Sequence, residues 1–290
     1  MIKDIKNGKD YKIVICTPAG REKYLSIFKK YIYRKMDEGL VDGWQLWQNT
    51  VDQQDITYLE SMEKENPKVV RKFVEGITAR YNNCDTLLTY KFFKNTHDDD
   101  TIYIRFDDDI VWCEEDFILK VAQARIDNPD AFVIYPNIIN STVCTNWHKE
   151  KGLYGPEADK VRKLSDNTTD PNWIYLDDFN YTDSKLIDHM HETFKKHYEA
   201  GTVSEYYLPQ RSFDNYQRFS ICSICWWGKD HVEPTKLEES QMAYELAEKL
   251  KRPIFFVGDA LCLHYSYHTQ RDYLESCKPE KLEFYKLITK

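Results

Sequence analysis

Apolar and polar positions along the chain change period in a way that predicts strand and helix in turn. Tyr11 to Cys16 (YKIVIC) is a short β-rich apolar run closed by the turn TPAGR, and Tyr24 to Tyr33 has the three-and-four spacing of an amphipathic helix. Gly43 to Gln48 (GWQLWQ) predicts a second strand, Asn49 to Tyr58 a polar connection, and Val69 to Tyr81 a helix ending at the Asn82-Asn83 turn. Thr101 to Phe106 predicts a strand, Glu114 to Ile126 a helix, and DAFVIYPN a further strand. This alternation argues for an α/β fold, a mainly parallel, doubly wound sheet flanked by helices, in which ligands collect at the carboxyl ends of strands.

The second half is less regular. From Thr145 to Asp183 the chain is polar and rich in Asn and Asp, and it reads as a long loop of the kind that forms lids or acceptor-binding segments. Lys185 to Tyr198 predicts a helix, FSICSICWWG a buried strand, Leu237 to Leu250 a helix with Glu238 and Glu239 in its first turn, and PIFFVG a last strand. With no internal repeat, the 290 residues are expected to form a single domain, with a first half of about 11–140 and a second of about 141–290.

Composition narrows the function classes. Forty basic against 48 acidic residues give a net charge of -8, which excludes a general affinity for nucleic-acid phosphate or anionic lipid. No apolar run approaches the roughly 18 residues of a membrane span, and MIKDIKNGKDYK lacks the apolar stretch of a secretory signal, so a soluble, cytoplasmic protein is expected. The eight cysteines read as thiols, because Cys222 and Cys225 form a CxxC with no second pair at zinc-site spacing. Without secretion, the sequons at Asn140, Asn167 and Asn180 read as chance.

The main chemical signal is TIYIRFDDDIVW. Three adjacent carboxylates repel one another unless something positive lies between them, and a divalent cation reverses that balance. In an extended segment Asp107 and Asp109 share one side, so both can face one ion while Asp108 points elsewhere. Oxygen ligands at a strand end suit Mg²⁺ or Mn²⁺ completed by phosphate oxygens. The equally acidic run from His97 to Asp100 follows the polar KNT and reads as an exposed turn.

Together with IVICTPAGREKYL, WQLWQNT and ALCLHYSYHTQR, the IRFDDDIVW segment resembles the GT-A glycosyltransferases, within them a group from bacteria, phages and large DNA viruses that includes chlorovirus sugar transferases. The likeness runs from Lys12 to Arg271. It implies a GT-A domain binding a nucleotide-sugar donor, a UDP-sugar such as UDP-xylose or UDP-glucose, through a metal, and a glycan acceptor. A viral source would place it in the host cytoplasm. Asp109 would be the direct metal ligand, Asp107 would lie nearer the donor ribose, and Asp108 could substitute. Thr17, Pro18 and Arg21 fall where such enzymes hold the nucleotide, at a loop entering a helix amino terminus with free N–H groups. Arg21 is equally a surface arginine at an ordinary turn. Asn49 and Thr50 either read the uracil edge or complete a turn. Arg80 and Arg105 either meet donor phosphate or sugar, or form ion pairs at the core edge.

The resemblance also makes His264 a metal ligand, with His268 as competitor and a hydrogen-bonded core histidine as the other reading; an imidazole ligand makes Mn²⁺ the preferred ion. An inverting reaction needs a general base, assigned to Glu239 with Glu238 and Asp230 as alternatives, although Glu in a helix's first turn is also favoured by the macrodipole. Trp147 and Trp173, in polar surroundings, are the rings assigned to a glycan acceptor. The rival functions are a non-catalytic carbohydrate-binding protein and a metal-dependent nucleotidyltransferase; the absence of a GxxxxGK[ST] loop counts against the latter.

Overall fold

The computed structural model describes residues 1–4, 8–73, 96–156, 184–214, 219–230 and 241–289. Three strands open the fold: β1 (Ile2–Lys3), β2 (Asp10–Ala19) and, after helix α1 (Glu22–Asp37), β3 (Gly43–Gln48). TPA is strand rather than turn, since Thr17, Pro18 and Ala19 pair in parallel with Leu46, Trp47 and Gln48. Pro18 is tolerated because pairing of β2 on its other side ends at Cys16, leaving that edge open.

The expected connection from Asn49 to Tyr58 holds a helix, α2 (Gln53–Glu65), whose cap Asp52 accepts from the amides of Gln54 at 2.8 Å and Asp55 at 3.4 Å. It buries only Leu59 and Met62, so its apolar stripe is too thin to read. The helix expected from Val69 begins instead as a strand, β4 (Val69–Lys72), paired in parallel with β3. Two successive β-branched residues pack well on a pleated surface and poorly in a helix. Its continuation, with Arg80 and Asn82-Asn83, lies outside the described residues.

Strand β5 (Thr101–Phe106) occupies its expected span, and all six residues are buried, as in a strand covered on both faces. The run after the aspartates is also a strand, β6 (Ile110–Cys113), so helix α3 (Phe117–Asp127) starts three residues later than expected. Strand β7 (Ile134–Ile139) leads into α4 (Thr142–Glu150), a helix inside the expected loop; 157–183, including Asn167, Trp173 and Asn180, lie outside the described residues.

Next come α5 (Ser184–Glu199), β8 (Arg211–Phe213) and β9 (Ser223–Trp227). The helix expected over Leu237 to Leu250 is described only from Gln241, as one π turn to Glu245 followed by α6 (Leu246–Leu250). Strand β10 runs from Ile254 to His264, six residues beyond PIFFVG, and helices α7 (His268–Cys277) and α8 (Pro279–Ile288) close the chain. Among the described residues, no helix is long and apolar enough to cross a membrane. The described cysteines are free thiols, and all but Cys277 are buried.

The strand order is β4-β3-β2-β5-β9-β7-β10-β6, with β1 on β2 and β8 on β10. Strands β4, β3, β2 and β5 are mutually parallel. Strand β9 is antiparallel to both β5 and β7, so β7 and its parallel neighbour β10 share the direction of β5. The result is a mainly parallel, Rossmann-like sheet in which strands from both halves of the chain interleave.

One step of this topology forces a bend. Strands β5 and β6 are four inter-strand spacings apart along the sheet, about 19 Å if it were flat at ~4.8 Å each. Only Asp107 to Asp109 join them; four Cα steps reach at most about 14 Å, and the Ile110 amide donates to the Asp107 carbonyl at 3.1 Å, shortening the link to a turn. The sheet therefore curls: β9 and β7 pair at a single position, and residues 258–260 bulge out of the β10–β7 ladder between Val257 and Leu261. Gly258 makes the bulge possible, because its carbonyl accepts from Leu208 N at 3.0 Å and Asn137 Nδ2 at 2.9 Å, and a Cβ there would sit 1.8 Å from the Leu208 oxygen. Gly258→Ala is expected to lower stability by about 3 kcal/mol through overpacking, measured as a shifted urea midpoint; an unshifted midpoint would mean the bulge yields.

Candidate functional site

The aspartates form the turn between β5 and β6, not the extended segment the period-two reading required. That turn points the three carboxylates in different directions, toward Arg105, Arg21 and Arg271, with Arg21 shared by two of them. Asp107, whose side chain is 21% exposed, accepts from Arg105 Nε at 2.9 Å and also from its Nη2. Asp108 is buried and bonds the β2–α1 turn: Gly20 N donates to one oxygen at 2.9 Å, while Arg21 Nε, at 2.9 Å, and Nη2 meet the other. Gly20 is needed there, since a Cβ would lie 2.8 Å from the Asn49 carbonyl.

Asp109 is buried where three elements meet. Its Oδ2 lies 2.9 Å from Arg21 Nη1 and 3.4 Å from Arg271 Nη2. Its Oδ1 faces His264 Nε2 at 3.4 Å, an ion-pair distance, yet has no hydrogen-bond partner. The backbone locks this approach, because Tyr265 N donates to the Asp109 carbonyl at 2.9 Å.

These surroundings set the charges. Burial raises the Asp107 carboxyl above its ordinary range; Arg105 opposes this only in part, and the negative charge of Asp109 adds to it. Burial pushes Asp109 the same way, but Arg21, His264 and Arg271 outweigh it and hold the carboxyl well below the usual range. Burial would lower the His264 imidazole, and Asp109 more than reverses that. The acidic run thus tolerates itself through guanidinium and imidazolium partners, positive charges that the chain itself supplies.

The donor set nevertheless fits a cation. His264 Nδ1 lies 3.1 Å from the Asn140 carbonyl, which can only accept, so Nδ1 carries a proton and Nε2 would be the atom to meet a cation. A separation of 3.4 Å between Nε2 and the orphaned Asp109 Oδ1 suits two ligands of one ion at bonds of about 2.1 Å. Among the described residues no three His, Cys, Asp or Glu side chains form a metal cluster. The protein therefore offers two direct donors with Asp107 alongside, and a hard ion would take its remaining oxygens from phosphate and water.

The other expected residues divide. Arg21, Arg105 and His264 converge with the aspartates, and His268 stands exposed at the start of α7, away from the competition. Thr17 is buried and its hydroxyl accepts from Trp44 Nε1 at 2.9 Å, so it holds the core; Pro18 lies on the open edge of β2. Asn49 N donates to the Ala19 carbonyl at 2.7 Å, and buried Thr50 accepts from Asp52 N at 3.0 Å, so Thr50 is a turn residue before α2. Asp230 is not brought to the site. Strand β9 runs antiparallel to β5, with Phe106 facing Ser223 and Ile102 facing Trp227, so Asp230 emerges at the opposite edge of the sheet and accepts from Arg252 Nη2 at 2.8 Å. Trp147 is not an open acceptor platform either: it packs in an aromatic cluster, stacked on Phe213 at 5.8 Å with edges toward Phe219 and Phe256. Arg80, Glu238 and Glu239 lie outside the described residues.

Sequence reasoning missed Arg271, Asn140 and Gln270. Each acts through partners far away in sequence, so neither its residue type nor its spacing gave a signal. An open cleft of about 610 Å³ adjoins the site, lined by Arg21, Asp52, Asp55, Arg271, Asp272 and Glu275.

No protein-family model matches the chain, and no curated protein sequence matches it. Two solved structures share its general shape. One is 4-diphosphocytidyl-2C-methyl-D-erythritol synthase from Anaerococcus prevotii DSM 20548, at 12% identity and TM-score 0.42, covering 96% of this chain and 95% of that one. The other is CMP:2-keto-3-deoxy-manno-octonic acid synthetase complexed with CTP, at 11% identity and TM-score 0.44, covering 97% of this chain and 98% of that one. Likeness at this depth bears on no activity.

Removing one partner of a buried charge pair leaves the other uncompensated, so Asp108→Asn is expected to cost about 3 kcal/mol of stability, read from urea unfolding in EDTA. An exposed control such as Gln54→Ala should change it by less than about 0.5 kcal/mol.

Proposed function

We propose that this chain is a divalent-metal-dependent transferase acting on a nucleotide substrate through its phosphates, and that it moves a sugar from a nucleotide-diphosphate donor to a glycan acceptor. The observation that supports it is the facing pair of Asp109 Oδ1 and His264 Nε2 at the carboxyl ends of β5 and β10, ringed by Arg21, Arg105 and Arg271. In this reading Asp109 and His264 hold the ion, Mn²⁺ in preference to Mg²⁺ because of the imidazole, and the more exposed Asp107 faces the donor. The ion and the arginines neutralise the charge that develops on the leaving diphosphate. The motif resemblance supports UDP as the nucleotide, xylose or glucose as the sugar, inversion as the outcome, and Glu239 or Glu238 as the base.

One observation favours nucleotidyl transfer as a second reading. Asp107, Asp108 and Asp109 are each held by an arginine, and Asp230 lies at the other edge. An acceptor that is already anionic, a phosphate or carboxylate, needs no base. The carbohydrate-binding reading loses the open face of Trp147.

Product release from a panel of sugar nucleotides and nucleoside triphosphates, with Mn²⁺, Mg²⁺ or EDTA, separates these readings. The expected result is UDP released from one UDP-sugar only with metal, and a loss of at least ~100-fold in Asp109→Asn. Pyrophosphate released from a triphosphate would select nucleotidyl transfer. Absence of any metal-dependent nucleotide binding would overturn both.

His264→Ala tests the second metal ligand separately. It is expected to weaken Mn²⁺-supported UDP binding on the order of tenfold or more, by calorimetry. Unchanged affinity in a folded variant would return His264 to the core.

A further inference from the structure

We propose that Asn140 is the positioning residue for His264, fixing which ring nitrogen faces the cation and where that nitrogen sits; this rests on the metal reading above. Asn140 follows β7 directly, is 4% exposed, and adopts the left-handed conformation at φ 62. Among the described residues Lys251 alone of the other non-glycines has positive φ, and it ends α6, an ordinary place for that conformation. Asn140 ends no helix. Its conformation turns its carbonyl and its side chain toward the same segment of β10.

The carbonyl accepts from His264 Nδ1 at 3.1 Å, which leaves Nε2 for Asp109. The side-chain Nδ2 lies 3.2 Å from the His264 carbonyl, 3.4 Å from that of Tyr265 and 3.1 Å from Gln270 Oε1. An amide nitrogen has two hydrogens, so the three acceptors share them. Gln270 Oε1 also accepts from Tyr267 N at 3.0 Å, which ties Asn140 to the start of α7, the helix that delivers Arg271 to Asp109. Asn140 thus grips the histidine twice, at its ring and at its backbone, and couples both to the second arginine. The Asn140-Ser141-Thr142 sequon is accounted for here without glycosylation, since its amide is committed inside the protein.

Mn²⁺ isotherms on the full chain test this, with free ion read by electron paramagnetic resonance in the absence of nucleotide. The proteins are wild type, Asn140→Gly, His264→Ala and the double variant, with Asp109→Asn as background. Glycine adopts φ near +60° freely, so Asn140→Gly removes the amide without straining the backbone; circular dichroism and melting in EDTA verify its fold. Asn140→Gly keeps the carbonyl that meets the ring but loses the amide that holds that carbonyl and the His264 backbone in register; it is expected to weaken Mn²⁺ on the order of tenfold, and to weaken it no further in His264→Ala, where no ring is left to position. Wild-type affinity in Asn140→Gly, or an equal loss in both backgrounds, would overturn the positioning role while leaving the metal site standing. Wild type that binds no better than Asp109→Asn would overturn the metal reading and this inference with it.

Discussion

The structure depends on a length mismatch. Three residues connect strands that a flat sheet would hold four spacings apart, so the sheet must curl until the end of β10 meets the end of β5. The bulge at residues 258–260 and the single β9–β7 pair are where it gives way. His264 and Asp109 are 155 positions apart in sequence, and the antiparallel β10–β6 ladder, in which His264 faces Ile110, brings them together at that junction. No local preference of either segment would do so.

Around that junction the protein solves an electrostatic problem by separation. The turn spreads three adjacent carboxylates over guanidiniums from three elements, Arg105 for Asp107, Arg21 shared by Asp108 and Asp109, and Arg271 for Asp109, so like charges are neutralised before they repel. Burial strengthens each pairing and makes each unpaired atom costly. Asp109 Oδ1, a buried carboxylate oxygen without a hydrogen bond, is therefore the informative atom of this cluster, because a buried acceptor of this kind calls for a proton or a cation. A cation held there would take the place of the proton on His264 and compete with the arginines, so its binding would release a proton.

Much of the first half was legible because its signals are local. GWQLWQ and TIYIRF are buried on their own terms, and their spans are those the apolar pattern predicts. The two acidic runs also separate by context: Asp98 and Asp99 are exposed before β5, whereas Asp108 and Asp109 are buried after it. Where the pattern misled, a long-range partner decided. IVWC is a strand because β10 pairs with it, and VVRK because β3 does. Asp230 looked well placed next to WWGK, and only the direction of β9, which no residue within it encodes, carries it to the far edge. Arg271 and Asn140 matter through distant partners, and a single sequence records no trace of those.

Arg21 is held at one edge and shared at the other. Its Nε and Nη2 are bound by Asp108, a buried carboxylate fixed by Gly20, while its Nη1 meets Asp109. Were Asp109 neutralised by an ion, that third nitrogen would already be aimed beside it. The side chain would need no search through rotamers, so the conformational entropy of ordering a long arginine has been settled during folding and not at the moment of binding. A lysine in its place would have one ammonium to divide between the two aspartates and could not keep hold of one while offering itself to a phosphate. The middle aspartate, Asp108, is what makes that division of labour possible.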